Sequence, residues 1–224
     1  MKYSYMLTRS RRKTLSLSVR PDCTIEVKAP LKTSINEIEQ FINSHGDWIE
    51  KNLKTMRERR TKQESFKLDY GCEVYFFAQK IPVIEADVKK AKLTDSCVLM
   101  PYFSDKEKMK KALIRLYKET ARAYISSKLP YFSAQIGVNP TKLTITSAKT
   151  NWGSCTADRV HFSWHLVMAE KEVIDYVIIH ELIHIIHHNH SNKFWAEVSR
   201  HCPQWKALRA RLKFYSEIIS IQNL

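Results

Sequence analysis

The stretch from Val173 to Ile186 is apolar on nearly every side of a helix, and yet it carries His180, Glu181 and His184. A helix of that kind belongs in a protein interior. Polar groups taken into such an interior need partners, because burying them unpaired is costly. The rest of the chain must therefore wrap this helix and leave something for two imidazoles and a carboxylate to bind. Positions i and i+4 share a helix face, so His180 and His184 can reach one ion. Zinc accepts imidazole nitrogen readily, and its catalytic sites use three protein ligands with a fourth position for water. Glu181, beside the first histidine, is placed to take a proton from that water. Glu170 and Glu172 fall where the first turn is expected, and negative charge suits that end of a helix.

His187, His188, His190 and Glu197 are the candidates for a third ligand. On a continuing helix His187 would share the ligand face but sit ~10 Å along the axis from His180. That is too far for both to bind one ion at the ~2.0–2.1 Å zinc–nitrogen distance. The third ligand must then come from chain that has left the helix and turned back. Asn189 tolerates a left-handed conformation and is a candidate terminator. His190 follows it, and Ser191 can N-cap a new short helix starting at Asn192. His190 is favoured on this ground, with Glu197 as the main alternative and His187 or His188 behind it. The spacing His180, His184, His190 matches the metzincin pattern, with His187 where the glycine of that pattern stands. No methionine follows Met168, so a metzincin methionine turn is missing. Gluzincins draw a glutamate from a following helix, the role Glu197 would take.

Beyond the helix, Asn151-Trp152-Gly153-Ser154-Cys155, Ile174-Asp175-Tyr176-Val177 and His190-Ser191 with Phe194-Trp195 complete a recognisable set. Weaker matches run back through Ser10 to Leu15, Val27-Lys28-Ala29-Pro30 and Trp48-Ile49. In these features the chain resembles the YgjP-like metallopeptidase domain proteins over nearly its whole length. The resemblance implies a zincin-like peptidase fold, with His180, His184 and His190 as zinc ligands and Glu181 as catalytic base. Asn151 stands where the family pattern leads one to expect a basic residue. Members of the family have also been catalogued as nucleotide pyrophosphohydrolases. Magnesium sites of that kind use several carboxylates, whereas this cluster is rich in imidazole and poor in acid.

With 224 residues and 44% apolar content, the chain can bury one good core or two small ones. The segment Met1 to Met6 lacks the apolar run of a signal peptide, and no apolar stretch approaches transmembrane length. Five cysteines, with no C-x-x-C pair, read as reduced thiols and a cytoplasmic protein without a membrane partner. The net charge of +14 is uneven: residues 1–21 and 200–213 hold lysines and arginines and no acid. Such patches attract phosphate-rich or acidic partners. Nucleic acid is therefore carried as a candidate partner beside a peptide or protein substrate, without an aromatic recognition motif to support it. The oligomeric state does not follow from sequence.

The expected fold class is α+β, a zincin-like catalytic half of helices plus a small antiparallel or mixed sheet, preceded by a β-rich module. Residues 1–100 are read as the N-terminal module with one helix, and 101–224 as the metallopeptidase domain. Alternation predicts a hairpin of Leu15–Val19 with Thr24–Lys28, and Ser34 with Glu37 predicts a capping box opening one helix through Met56. Val74–Phe77, Ile81–Glu85, Ala91–Leu93 and Val98–Met100 are expected to form a meander. Ser104 with Glu107 is expected to cap a long helix stopped near Pro130. Leu143–Thr146 and Val160–Leu166 are expected as antiparallel neighbours, with Trp152 to Cys155 in the bend. By resemblance, Val160–Met168 is the strand that lays substrate along its edge.

The function expected is a zinc-dependent metallopeptidase holding one zinc per chain. Alternatives are a SprT-like protease targeted to nucleic acid by its basic surface, and a nucleotide pyrophosphohydrolase. Cys155 is a minor candidate for a thiolate ligand. His201 and Tyr215 are candidates for supporting an oxyanion, and His161 and His165 are expected to have no catalytic role.

Overall fold

In the computed structural model, which describes residues 3–222 and 224, alternating side chains near the N-terminus build a three-stranded sheet. Lys2, part of the basic N-terminal stretch, lies outside the described residues. The strands are β1 (Tyr5–Ser10), β2 (Ser16–Val19) and β3 (Ile25–Pro30), in the order β1-β3-β2. β2 and β3 form the expected hairpin, with Ser16 opposite Lys28 and Val19 opposite Ile25. β1 is an addition that sequence reading missed, and it pairs parallel to β3. Ser34 caps α1 (Ile35–Ser44) with both halves of the capping box in place. The single helix expected through Met56 is in fact two, because the chain leaves helical geometry at His45 before α2 (Gly46–Ser65). His45 Nδ1 lies 2.8 Å from the Phe41 carbonyl, a local bond that competes with helix continuation. Ile38, Ile42, Ile49 and Leu53 close over Ile25, Val27 and Ala29 to make a small separate core.

The chain divides into two compact units, Met1–Phe66 and Lys67–Leu224. The boundary expected at 100/101 thus falls inside the second unit. The reason is packing of the next sheet, β4 (Glu73–Phe76), β5 (Gln79–Glu85), β6 (Lys92–Leu93) and β7 (Val98–Met100), onto helix α3 (Lys106–Ile136). Phe76 stacks on Tyr117 of α3 at 4.2 Å, and the Tyr117 hydroxyl donates to the Tyr75 carbonyl at 2.9 Å. The strand order β4-β5-β7-β6 corrects the meander, since β5 and β7 run parallel. Asp105 rather than Ser104 caps α3, accepting from the Glu107 amide. The helix also passes its expected stop at Pro130 and ends at Gly137, whose φ of 79° suits a residue without a side chain. Buried Phe132 and Ser133 hold the turn beyond the proline.

The third sheet consists of β8 (Lys142–Thr146), β9 (Gly153–Thr156) and β10 (Arg159–Ser163) in the order β8-β10-β9. β8 and β10, expected to be antiparallel, are parallel, and β9 is the antiparallel neighbour of β10. A 3-10 turn over Trp164–Met168 then leads into α4 (Lys171–Ile183), followed by α5 (Asn192–His201) and α6 (Trp205–Gln222). α4 is packed by α3, α5, α6 and β9, so its apolar surface is used on all sides. The mixed helix-and-sheet architecture is α+β as expected. Among the described residues, no helix is long and apolar enough to cross a membrane.

Ser34→Ala removes one half of a capping box on an exposed helix start. It should cost the first unit about 1 kcal/mol, read from urea denaturation followed by far-UV circular dichroism.

Candidate metal centre

α4 ends at Ile183, earlier than the sequence reading supposed, and His184 is its C-terminal cap. The chain tightens through bonds from the Ile185 amide to the Leu182 carbonyl and from Ile186 to Ile183. Asn189 is not left-handed, as had been expected of it; its Oδ1 instead accepts from the Ser191 amide at 3.2 Å. The reversal is completed when Ser191 caps α5 by accepting from the Phe194 amide. This path swings His190 back over the end of α4.

The three imidazoles then meet. His190 Nε2 lies 3.2 Å from His184 Nε2 and 3.1 Å from His180 Nε2. Two nitrogens each ~2.0–2.1 Å from a tetrahedral ion would sit roughly 3.4 Å apart. The observed separations are close to that. One proton on His190 Nε2 cannot satisfy both neighbours, whereas a cation at the centre would satisfy all three lone pairs. The ligand atoms of His180, His184 and His190 all fall within 4.8 Å of one another, and they are the group with metal-holding geometry among the described residues. Glu197 is elsewhere, 3.0 Å from His201 Nε2 and 3.7 Å from Arg200.

Protonation favours the same reading. Burial, then the neighbouring His184, His190 and Arg209, lowers the His180 pKa to about 3. Burial also lowers His184. Both are neutral near pH 7, as metal ligation needs. The second nitrogen of His184, Nδ1, faces the His187 carbonyl at 2.9 Å and must donate to it, which leaves Nε2 free for an ion. His180 Nδ1 is buried and has no such acceptor among the described residues. Its ring is held by packing against Tyr176, Phe194 and Trp195 instead.

Phe194, quoted in the sequence only among the residues of the family resemblance and given no role there, proves central. Its fully buried ring lies 4.5, 4.8 and 4.9 Å from His184, His190 and His180, touching all three imidazoles. An aromatic in the first turn of the helix after the third histidine was the available signal. Trp195 is half-buried and stacks on both His190 and Trp205.

Glu181 lies against β9. A Cβ added at Gly153 would come within 2.6–2.9 Å of the Glu181 side chain, so only glycine leaves room for it there. With 6% exposure, burial pushes the Glu181 pKa up to about 8. A cation bound nearby would draw it down again. β9 is also the strand with a free edge beside α4. The segment Val160–Met168, expected in that role, is a central strand plus a 3-10 turn, so its edges are already used by β8 and β9. Asn151, at the start of the bend into β9, is exposed and donates to the Gly153 carbonyl at 3.4 Å.

The remaining candidates are placed away from the cluster. The Cys155 thiol donates to the Ala157 carbonyl, and burial and Glu181 raise its pKa, so it is held as a thiol. Tyr215 interacts with Glu170, at the opposite end of α4 from the histidines. His161 lies on β10, and His165 is buried in the 3-10 turn with Nδ1 2.9 Å from Ser163 Oγ.

Comparison with curated proteins finds no match to this chain. The family described as YgjP-like, metallopeptidase domain, matches residues 13–215, across both compact units. The chain belongs to the YgjP-like metallopeptidase domain family.

Proposed function

We propose that this chain is a zinc-dependent peptidase, with His180, His184 and His190 holding one zinc ion and Glu181 as general base. The observation that carries the proposal is the meeting of three imidazole Nε2 atoms at the end of the helix whose buried Glu181 packs against the edge strand β9. An all-imidazole donor set suits zinc better than magnesium or calcium, which prefer oxygen. When bound, zinc would polarise the scissile carbonyl and bring its water's pKa toward neutrality. Glu181 takes a proton from the attacking water and returns it to the leaving amine. Gly153 leaves the space in which the carboxylate can do both. The free edge of β9 pairs with substrate backbone and sets the scissile bond against Glu181. A cytoplasmic setting belongs to the same reading, supported by five cysteines that are all free.

A second reading has one observation in its favour. A groove of about 290 Å³ is lined by Lys89, Lys90, Lys111 and Arg115, with Phe103 and one acid, Glu119. With a net charge of +14, that groove would suit targeting to nucleic acid, as in a SprT-like protease. Salt-dependent DNA binding weakened by Lys111→Gln with Arg115→Gln would support it. A nucleotide pyrophosphohydrolase finds less support, because the cluster offers imidazole where such chemistry uses carboxylates.

Purified protein should hold about one zinc per chain, and Glu181→Gln should retain it while losing roughly a hundredfold or more of peptide hydrolysis. Elemental analysis and turnover of a quenched fluorescent peptide test both; a fully active Gln variant removes Glu181 from the role.

His190→Ala should weaken zinc as severely as His184→Ala, while Glu197→Ala leaves affinity within about tenfold of the parent. Competition with a chromogenic chelator decides, and metal loss confined to the Glu197 variant reverses the assignment.

In the metal-free protein, Glu181 has a folded pKa raised from 4.5 to about 8. Its contribution to stability is therefore fully present below the unfolded pKa and lost as pH rises toward 8. Metal-free Glu181→Gln should gain stability over the parent as pH rises from 5 to 8, by more than about 1 kcal/mol. Paired thermal melts show this, and comparing the two proteins cancels the histidine titrations they share.

A further inference from the structure

Arg209, on α6, is exposed, and its guanidinium carbon lies 5.1 Å from the centre of the Trp195 ring. Trp195 is itself stacked on Trp205 at 4.1 Å and 18°, and the Trp205 indole N–H donates to Ser199 Oγ at 2.8 Å. On the candidate metal centre side, Trp195 stacks with His190 at 5.5 Å and 23°. The guanidinium and the third histidine therefore share one indole ring, 5.1 and 5.5 Å from its centre, and can be no further apart than the sum of those distances. The guanidinium's positive charge reaches the site, since it lowers both His180 and Tyr176.

The neighbouring arginines are neutralised: Arg200 lies against Glu197 and Arg211 against Glu170. Among the described residues no carboxylate or carbonyl accepts from Arg209, whose guanidinium lies over the indole ring. A guanidinium held over a ring face uses no N–H on an oxygen acceptor, so its donor fork stays available. That fork matches a carboxylate bidentately. An unspent fork beside a site that handles peptide backbone is a receptor for an anion carried by the peptide.

We propose that Arg209, propped on Trp195, binds a substrate carboxylate and so makes the site selective for peptides bearing one close to the scissile bond. An extended chain advances ~3.3–3.6 Å per residue, so an anchor sharing the Trp195 ring with His190 lies within about three residues of the bond cleaved. The carboxylate is either an acidic side chain at that distance or the free C-terminus of a short peptide. The inference rests on the peptidase reading of the same site.

The test is direct binding. Fluorescein-labelled peptides of one sequence, differing only as Glu or Gln at the second and third flanking positions and as free acid or amide at the C-terminus, are titrated with the zinc-loaded Glu181→Gln protein. Anisotropy at about 0.15 M salt suppresses long-range attraction to the basic surface. At least one carboxylate should improve binding about tenfold, as expected for a charge-assisted bidentate contact. Which peptide gains identifies side chain or terminus as the source. Adding Arg209→Gln should erase the gain, and Arg209→Lys should keep part of it. Arg200→Gln, which removes the same charge from a residue already paired, should leave it intact. No carboxylate preference, or one that survives Arg209→Gln or falls equally with Arg200→Gln, overturns the proposal. Hydrolysis of the neutral amide peptide by protein with Glu181 intact is followed separately. Turnover without carboxylate preference sinks the Arg209 assignment alone. Arg209-dependent binding without any turnover sinks the peptidase reading alone.

Discussion

The packing of α4 on every side is the constraint from which the rest follows. Its buried face includes Val173, Ile174, Val177, Ile178, Leu182 and Ile183, so the polar groups among them need partners from the protein. Each of those groups is accounted for separately. Asp175 accepts from the Tyr124 hydroxyl at 2.9 Å. Glu181 is accommodated by the missing side chain of Gly153. His180 and His184 are gathered with His190 over one phenylalanine ring. A protein interior this dense transmits small displacements, so the positions of the imidazoles depend on helices that never touch a substrate.

The candidate centre was legible in sequence because its information is local. Two histidines at i and i+4, a serine able to cap the next helix and a histidine just before it are short-range signals, and they led to His190 over Glu197. The route to that outcome differed, with the helix ending at His184 and no left-handed residue at Asn189. The capping box at Ser34 and the β2–β3 hairpin were legible for the same reason.

Strand order was not legible. β1 with β3, β5 with β7 and β8 with β10 are all parallel pairs. Parallel partners are joined by long connections and leave no turn signature between them. The consequence for the site was a misplaced edge: β10 reads as a good strand, but its position in the middle of the sheet is a fact about partners far away in the chain. The passage through Pro130 shows the opposite failure, where a local rule was clear and tertiary packing overrode it.

The path from His180 to His190 has a mechanical meaning as well. Two of the imidazoles are fixed by α4, and the third arrives on the chain that leads into α5, with Phe194 close behind it. An ion shared by all three would be a cross-link closing a loop across ten residues of sequence. Such a closure removes conformational freedom from the unfolded chain, and binding energy spent there becomes folding energy. Binding of such an ion and the seating of α5 would then be one equilibrium: the event that closed the three imidazoles on the ion would also fasten the helix whose Trp195 lies under Arg209.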